Sequence, residues 1–429
     1  MESTKQKHAR VDVADVQLGM YVARLDRPWT ETPFLFQGFF VRNEDELEEL
    51  RRYCKYVFID TEQSVADTGG SPSQPQNRPE TNERTITGVT SLRYPSPSPA
   101  ANAGARNRTV YKTVVAVEQE LESARQTYTD ATKAAQEILN TLQNGGQLDI
   151  NLAKQTVEPV VESVLRNPDA MIWLSRMKKH DSYSYHHSVG CSVWGIAFAR
   201  HLGLDRQAIY EIGLGCMLFD VGKTRLPASL LMKPAKLTET EWHVVRNHVD
   251  YSVAILENTE GISTRIINMV HSHHERYDGS GYPEGLKANQ IPTFAKIAGM
   301  VDCYDAITSI RPYGTQRSPY QAVREIYGWR NTLFQSEVVE QFMQVVGVYP
   351  TGSLVELSSG AVGVVIAQNE SRRLRPRIML VLDERKKRLR HFEIVDLLND
   401  NQWHNVEKLS VEKCLEPGAY GIDPQELYL

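Results

Sequence analysis

Four histidines, three aspartates and one lysine between residues 187 and 305 have the side-chain types from which metal sites are built: His187, Asp220, Lys223, His248, His273, His274, Asp302 and Asp305. A lone histidine is more often a satisfied polar residue, so the test is whether these groups share the inward faces of helices. In TETEWHVVRNHVDYSVAILEN, Thr238 and Glu241 form a capping-box signature that opens a helix. His248 then follows Val244 by four residues and Val245 by three, on the apolar stripe. His273 and His274 follow Val270 by three and four in RIINMVHSHHERYDGSGYP. Asp302 follows Ala295 and Ala298 by seven and four, and Asp305 continues that stripe one turn later. Buried acids are rare unless paired or bound to metal. Inward His and Asp side chains from several helices satisfy one another around a cation, as in helical bundles. Mixed imidazole and carboxylate donors suit iron, manganese or zinc better than calcium or magnesium. The competing reading is a buried polar network without metal, which requires every group to find its partner among the others. Asp305 by itself reads as a hydrogen-bond acceptor behind a ligand.

The segment after the histidine pair, HHERYDGSGYPEGLKANQIP, is predicted to end the helix and bring backbone close to the site, because glycine and proline follow the pair directly. Tyr282 offers an aromatic face, and Arg276, Lys287 and Arg311 add positive charge nearby. Exposed backbone, an aromatic ring and cations beside a metal suit a phosphodiester that carries a base.

The elements that position these residues lie in a mainly helical stretch, 150–346. The expected fold class is mainly α, with a small α+β N-terminal domain over 1–65 and a β-rich C-terminal extension over 347–429. Residues 66–108 are rich in Pro, Ser, Asn and Ala and read as a disordered linker. A connecting element, 109–149, is expected to be a helix over about 110–143 closed by Gly145 and Gly146, with Val114, Val117, Leu121 and Ala124 at helical spacing. Packing on its own domain is favoured for it over a signalling or dimerisation role. The run LDERKKRLRH reads as a solvated hairpin face. The chain has 429 residues, enough for two or three domains, and a net charge of −5, which argues against general DNA or RNA binding. Its five scattered cysteines have no metal-finger spacing, and no run approaches the ~18 apolar residues of a membrane span. A reduced, cytoplasmic setting is expected.

The motifs YHHSV (185–189), FDVGK (219–223), NHVDYS (247–252), HHERYDGSGYP (273–283) and DCYDAITSIRPY (302–313) closely resemble, in order, those of the HD-GYP family, a branch of the HD metal-dependent phosphohydrolases. The resemblance covers about 175–345, and the N-terminal segment is similar to a small domain often found ahead of HD-GYP domains in bacteria. It implies an all-helical HD-type metal-binding domain that hydrolyses the second messenger cyclic di-GMP to pGpG or GMP by two-metal activation of water. It implies two divalent ions, iron or manganese. His187, Asp220 and Asp302 would hold one, and Asp220, His248, His273 and His274 the other. Lys223 would bind the scissile phosphate or its attacking water, with Asp220 and Lys223 as the catalytic pair. Gly281, Tyr282, Pro283 and Arg311 would shape the ligand pocket. GGDEF-type diguanylate cyclases are implied partners, and a homodimer is one assembly open to the chain, whose oligomeric state the sequence does not give.

The sequence departs from the family pattern at Phe219, where members with full activity carry a metal-ligand histidine. His186 points about 100° away from His187 on a helix and is not expected to substitute; His271 also faces differently. Tyr183 stands where some members place a Glu that recruits a third metal, so a three-metal site is not expected. Two functional readings follow. The favoured one is a hydrolase with one weakly held metal, since three protein ligands still bind metal well. The other is a receptor or scaffold that binds cyclic di-GMP or a partner without turnover. Hydrolysis of a related cyclic dinucleotide is a third, minor reading.

Overall fold

The computed structural model describes residues 8–27, 39–41, 44–60, 109–176, 183–309, 317–369, 374–399, 409–422 and 427. The chain divides into two compact units, Met1–Asn107 and Arg108–Leu429. The linker expected over 66–108 lies outside the described residues.

In the first unit, alternating apolar residues form β1 (His8–Asp12), β2 (Tyr21–Leu25) and β3 (Phe39–Phe40); α1 (Glu44–Tyr53) then leads into β4 (Tyr56–Asp60). The strands make an antiparallel sheet in the order β1-β4-β2-β3. Val22, Val57 and Ile59 of the strands and Leu47 and Leu50 of α1 are buried, so sheet and helix each contribute an apolar face. This is the small α+β fold expected from the sequence.

The second unit begins with helices α2 (Val117–Gln143), α3 (Ile150–Arg166), α4 (Pro168–Arg176), α5 (Tyr183–His201) and α6 (Arg206–Leu218). It continues with α7 (Ala228–Leu231), α8 (Glu239–Arg246), α9 (His248–Glu257), α10 (Thr264–Ser272), α11 (Thr293–Thr308), α12 (Pro319–Gly328) and α13 (Ser336–Val346). Three details differ from the sequence expectation. First, α2 starts at Val117 rather than near 110. The residues before it spend their backbone groups elsewhere: Thr109 N–H donates to Gly203 O at 2.9 Å and Val114 N–H to Arg166 O at 3.1 Å. Val114 is accordingly 70% exposed and outside the apolar stripe. Second, the predicted helix around His248 is two helices that meet at Asn247. The capping box at Thr238 and Glu241 is formed, but the buried stripe runs through Val245, while Val244 is exposed. Third, α10 ends at Ser272, so the histidine pair sits in the turn after the helix.

The centre of the unit is α5, buried along nearly its whole length from Val189 to Arg200. Trp194 of α5, Tyr304 of α11 and Phe342 of α13 pack edge to face, with ring centroids 5.0 to 6.0 Å apart. Such contacts fix the mutual rotation of three helices, and two of them carry site residues. α2 packs on α3, α4 and α5 of its own unit, burying Leu121, Ala124, Tyr128 and Ile138.

The C-terminal strands β5 (Leu354–Leu357), β6 (Val362–Ala367), β7 (Arg377–Leu382), β8 (Arg388–Asp396) and β9 (Val411–Leu415) form an antiparallel sheet in the order β8-β7-β6-β5-β9. Every residue of β6 is buried, because one face lines the sheet's own core and α4 packs against the strand. The charge run turns at Asp383, whose side chain accepts the N–H groups of Arg385 and Lys387; Arg385, Lys387, Arg388 and Arg390 face solvent, while Lys386 folds back onto Glu356. No described helix is long and apolar enough to cross a membrane.

Candidate metal centre

The site is assembled by backbone contacts that only particular residues permit. After α6 the chain enters a 3₁₀ turn, Val221–Arg225, with Asp220 at its start. Gly222 N–H donates to Ser252 Oγ at 2.8 Å, and a Cβ on Gly222 would lie 2.1 Å from His248 O. Glycine therefore lets the turn rest directly on the start of α9, which brings Asp220 to His248. Gly281 does the same for the loop after the histidine pair. A Cβ there would lie 2.4 to 2.5 Å from backbone atoms of His274, Glu275 and Arg276.

The hydrogen bonds of the imidazoles define their tautomers. His248 Nδ1 lies 2.7 Å from Val245 O and His273 Nδ1 lies 2.6 Å from Val270 O. A carbonyl only accepts, so each Nδ1 carries the proton and each Nε2 presents a lone pair. Those lone pairs face Asp220 Oδ1, at 3.3 Å from His248 and 4.0 Å from His273. His274 Nε2 is 3.1 Å from His248 Nε2, and its Nδ1 is 3.8 Å from Asp302 Oδ2. His187 follows the same logic. Nδ1–H donates to Asp305 Oδ2 at 2.8 Å, which aims Nε2 at Asp302 Oδ1 (3.2 Å) and Asp220 Oδ2 (3.5 Å).

This produces two donor groups that share Asp220: Asp220, His248, His273 and His274 in one, and His187, Asp220 and Asp302 in the other. Within each group one donor atom per residue lies within 4.8 Å of the rest. Acceptors facing acceptors in a buried space repel unless a cation stands between them. Asp220 Oδ1 and His273 Nε2 are both buried and make no hydrogen bond of good geometry. A divalent cation fits this arrangement, and these are the residues that would hold it.

Burial alone would raise the carboxyl of Asp220, but Lys223, with Nζ 2.5 Å from Oδ2, holds it well below the usual carboxylate range, and His187 and His248 add to this in their protonated form. Burial likewise opposes the charge on Asp302, and His187 and His274, when protonated, outweigh it. Burial pushes His273 down to about 4, against the attraction of Asp220 and Asp302. His274 is driven well below its ordinary value, first by burial and then by His273. Near neutral pH these two rings are uncharged, which is the form that binds metal.

Phe219 caps α6 and is fully buried. Its ring lies 4.8 Å from that of His273 and 5.9 Å from that of His187. It points into the site and offers no donor. Cys191, one turn after His187, has Sγ 3.6 Å from Nδ1 and 3.8 Å from Nε2 of that ring. The sulfur is nearly equidistant from both nitrogens, and burial pushes its thiol up to about 12, so it packs as a neutral group. His186 instead stacks on Tyr128, and His271 faces Glu284.

Tyr282 stacks on His274 with centroids 4.7 Å apart, and its N–H donates to His274 O at 3.3 Å. Its peptide bond to Pro283 is cis. Arg276 is not a pocket cation: it donates to the carbonyls of His273 and Glu275 and lies over Phe334. Lys287 lines the loop at Gly279. Arg311 lies outside the described residues. Two residues were missed in the sequence. Glu275, buried directly after the pair, accepts the N–H groups of Glu284 (2.7 Å) and Leu286 (2.9 Å) and ties the loop down. Arg246 lies 4.9 Å over the ring of Tyr282. Its one sequence signal was its place four residues after Trp242.

Comparison with known proteins gives the chain's relatives. A family described as an HD domain matches residues 172–338, a domain of unknown function (DUF3391) matches 8–153, and a KOW domain associated with HD domain matches 354–413. A cyclic di-GMP phosphodiesterase of Pseudomonas aeruginosa is 34% identical over 90% of this chain and 88% of its own length. A cyclic di-GMP phosphodiesterase response regulator of Xanthomonas campestris is 35% identical over 36% of this chain and 43% of its own. A 3′3′-cGAMP-specific phosphodiesterase of Vibrio cholerae is 34% identical over 30% of this chain and 24% of its own.

Proposed function

Because this chain belongs to the HD-GYP branch of the HD metal-dependent phosphohydrolases, we propose that it hydrolyses cyclic di-GMP to pGpG or GMP. The observation that carries the reading is the meeting of the His248 and His273 lone pairs at Asp220 Oδ1, with His187 and Asp302 on the other oxygen's side. Two divalent ions, iron or manganese, go with these donors. When bound, they supply Lewis acidity to a water and to the phosphoryl oxygens.

The chain's own residues do the rest. Asp220 serves both donor groups, with Oδ1 toward His248 and His273 and Oδ2 toward His187 and Lys223. Lys223 is one-third exposed beside Asp220, so its ammonium reaches a phosphate at the mouth and stabilises the charge that develops there. Asp305 and the carbonyls of Val245 and Val270 keep three imidazoles in the ligating tautomer. Gly281 and Tyr282 form one wall of the pocket, and Arg311 is proposed as a further phosphate contact. On this reading the chemistry belongs to 150–346, in a cytoplasmic signalling enzyme. Exposed Pro283 offers a docking point for GGDEF-type cyclases, and a homodimer is the assembly we propose. Metal-dependent conversion of cyclic di-GMP to linear product, lost on chelation, is the test. Binding without product favours instead a receptor, to which the inward ring of Phe219 points.

A further inference from the structure

Trp242, Arg246, Tyr282 and His274 form one stack that runs from solvent to the metal centre. The guanidinium carbon of Arg246 lies 6.0 Å from the ring of Trp242 and 4.9 Å from that of Tyr282. Tyr282 lies on His274 at 4.7 Å with 24° between the planes. Trp242 is 47% exposed and Arg246 is exposed. An aromatic so open to water contributes little to the core, and Val244 beside it is exposed as well. Among the described residues, Arg246 is paired with no carboxylate; its contacts are the two rings.

The platform is rigidly placed. Trp242 and Arg246 are four residues apart on α8 and share a face. The capping box and the Lys233–Glu241 pair at 2.7 Å anchor the start of α8. Its last turn meets His248 through the single residue Asn247, so Arg246 is tied to a candidate metal ligand.

We infer that Trp242 and Arg246 are the base-recognition platform of this site and select guanine. The inference rests on the proposed hydrolysis of a cyclic dinucleotide. An indole presents a flat face on which a purine stacks. The guanidinium fork matches the two adjacent acceptors of guanine, O6 and N7, whereas adenine places an amino donor at the first of these positions. One nucleotide would have its phosphate at Lys223 and Asp220, and its base would extend along Tyr282 to Arg246.

The test compares the native protein with Trp242→Ala, Arg246→Ala and Arg246→Lys, loaded with Mn²⁺. Turnover of cyclic di-GMP, cyclic di-AMP and base-free bis(p-nitrophenyl) phosphate is measured, with equilibrium binding of both dinucleotides alongside. Arg246→Ala is expected to lose about tenfold or more in kcat/KM with cyclic di-GMP relative to the base-free ester, and in guanine-over-adenine binding. Arg246→Lys keeps the charge but not the fork and recovers only part of the preference. Equal losses with all three substrates would mean Arg246 merely supports Tyr282 and would overturn the inference, as would unchanged selectivity. Weaker guanine binding in the variants with no turnover by any protein sinks the hydrolase reading and keeps this one. Absence of binding by the native protein overturns both.

Discussion

The ring of Phe219 lies 4.8 Å from the imidazole of His273, tilted by 31°, inside the space where the two donor groups adjoin. It therefore fills that space with a ring that carries no donor. The group built on His248, His273 and His274 keeps four donors, while the group built on His187 keeps three.

The two groups should consequently bind metal with different affinity. Titration of chelator-treated protein with Mn²⁺, followed by calorimetry and elemental analysis, is expected to show a tight and a weak class. Phe219→His should tighten the weak class tenfold or more, about 1.4 kcal/mol. A single class in the native chain, unmoved by the substitution, would contradict this.

Asp305 acts on metal through His187, whose proton it holds on Nδ1 at 2.8 Å. Asp305→Ala is expected to weaken metal binding about 10- to 100-fold. The loss should fall on the weak class and leave the tight one, since Asp305 orients His187, which belongs to the three-donor group. Equal loss in both classes would instead indicate general disruption of α11.

Gly222 admits no side chain, because a Cβ would meet His248 O at 2.1 Å and Ser252 N at 2.4 Å. Gly222→Ala is expected to destabilise the protein by at least ~2 kcal/mol in denaturant unfolding, more than ordinary overpacking, because the clash is with backbone. It should also displace Asp220 and lower metal affinity. A neutral effect on both would mean the turn does not rest on α9 as described.

Acid should weaken the metal-free protein earlier than surface carboxylates would. His273 is held to about 4, mainly by burial, against 6.5 for an unperturbed imidazole, and His274 is shifted the same way. Unfolded chains therefore take up protons first as pH falls. The stability present above pH 6.5 is lost progressively toward pH 4. Thermal melts of chelated protein across that window check the direction; a flat profile would show that the rings are not buried neutral.

Much of this site was legible in the sequence because its residues sit at helical spacing on apolar stripes. The capping box at Thr238 marked the helix that leads to His248, and the glycines of the two motifs marked close backbone approach. What was not legible depends on partners distant in the chain. Val244 has the spacing of a core residue yet faces water, because Asn247 breaks the stripe between α8 and α9. Val114 continues a helical pattern, but its N–H is claimed by Arg166 O. Glu275 reads as a charged loop residue; only the folded loop turns two N–H groups toward it. The direction of the Phe219 ring is set by packing against His187 and His273, which are distant in the chain.

We propose that this centre still turns over cyclic di-GMP despite Phe219. The most direct measurement is chromatographic product analysis of cyclic di-GMP incubated with Mn²⁺ or Fe²⁺ and the native, Asp220→Ala or Phe219→His protein. The native chain is expected to give pGpG or GMP, Asp220→Ala none, and Phe219→His faster turnover. Product from Phe219→His alone, with the native chain only binding the dinucleotide, would contradict this proposal.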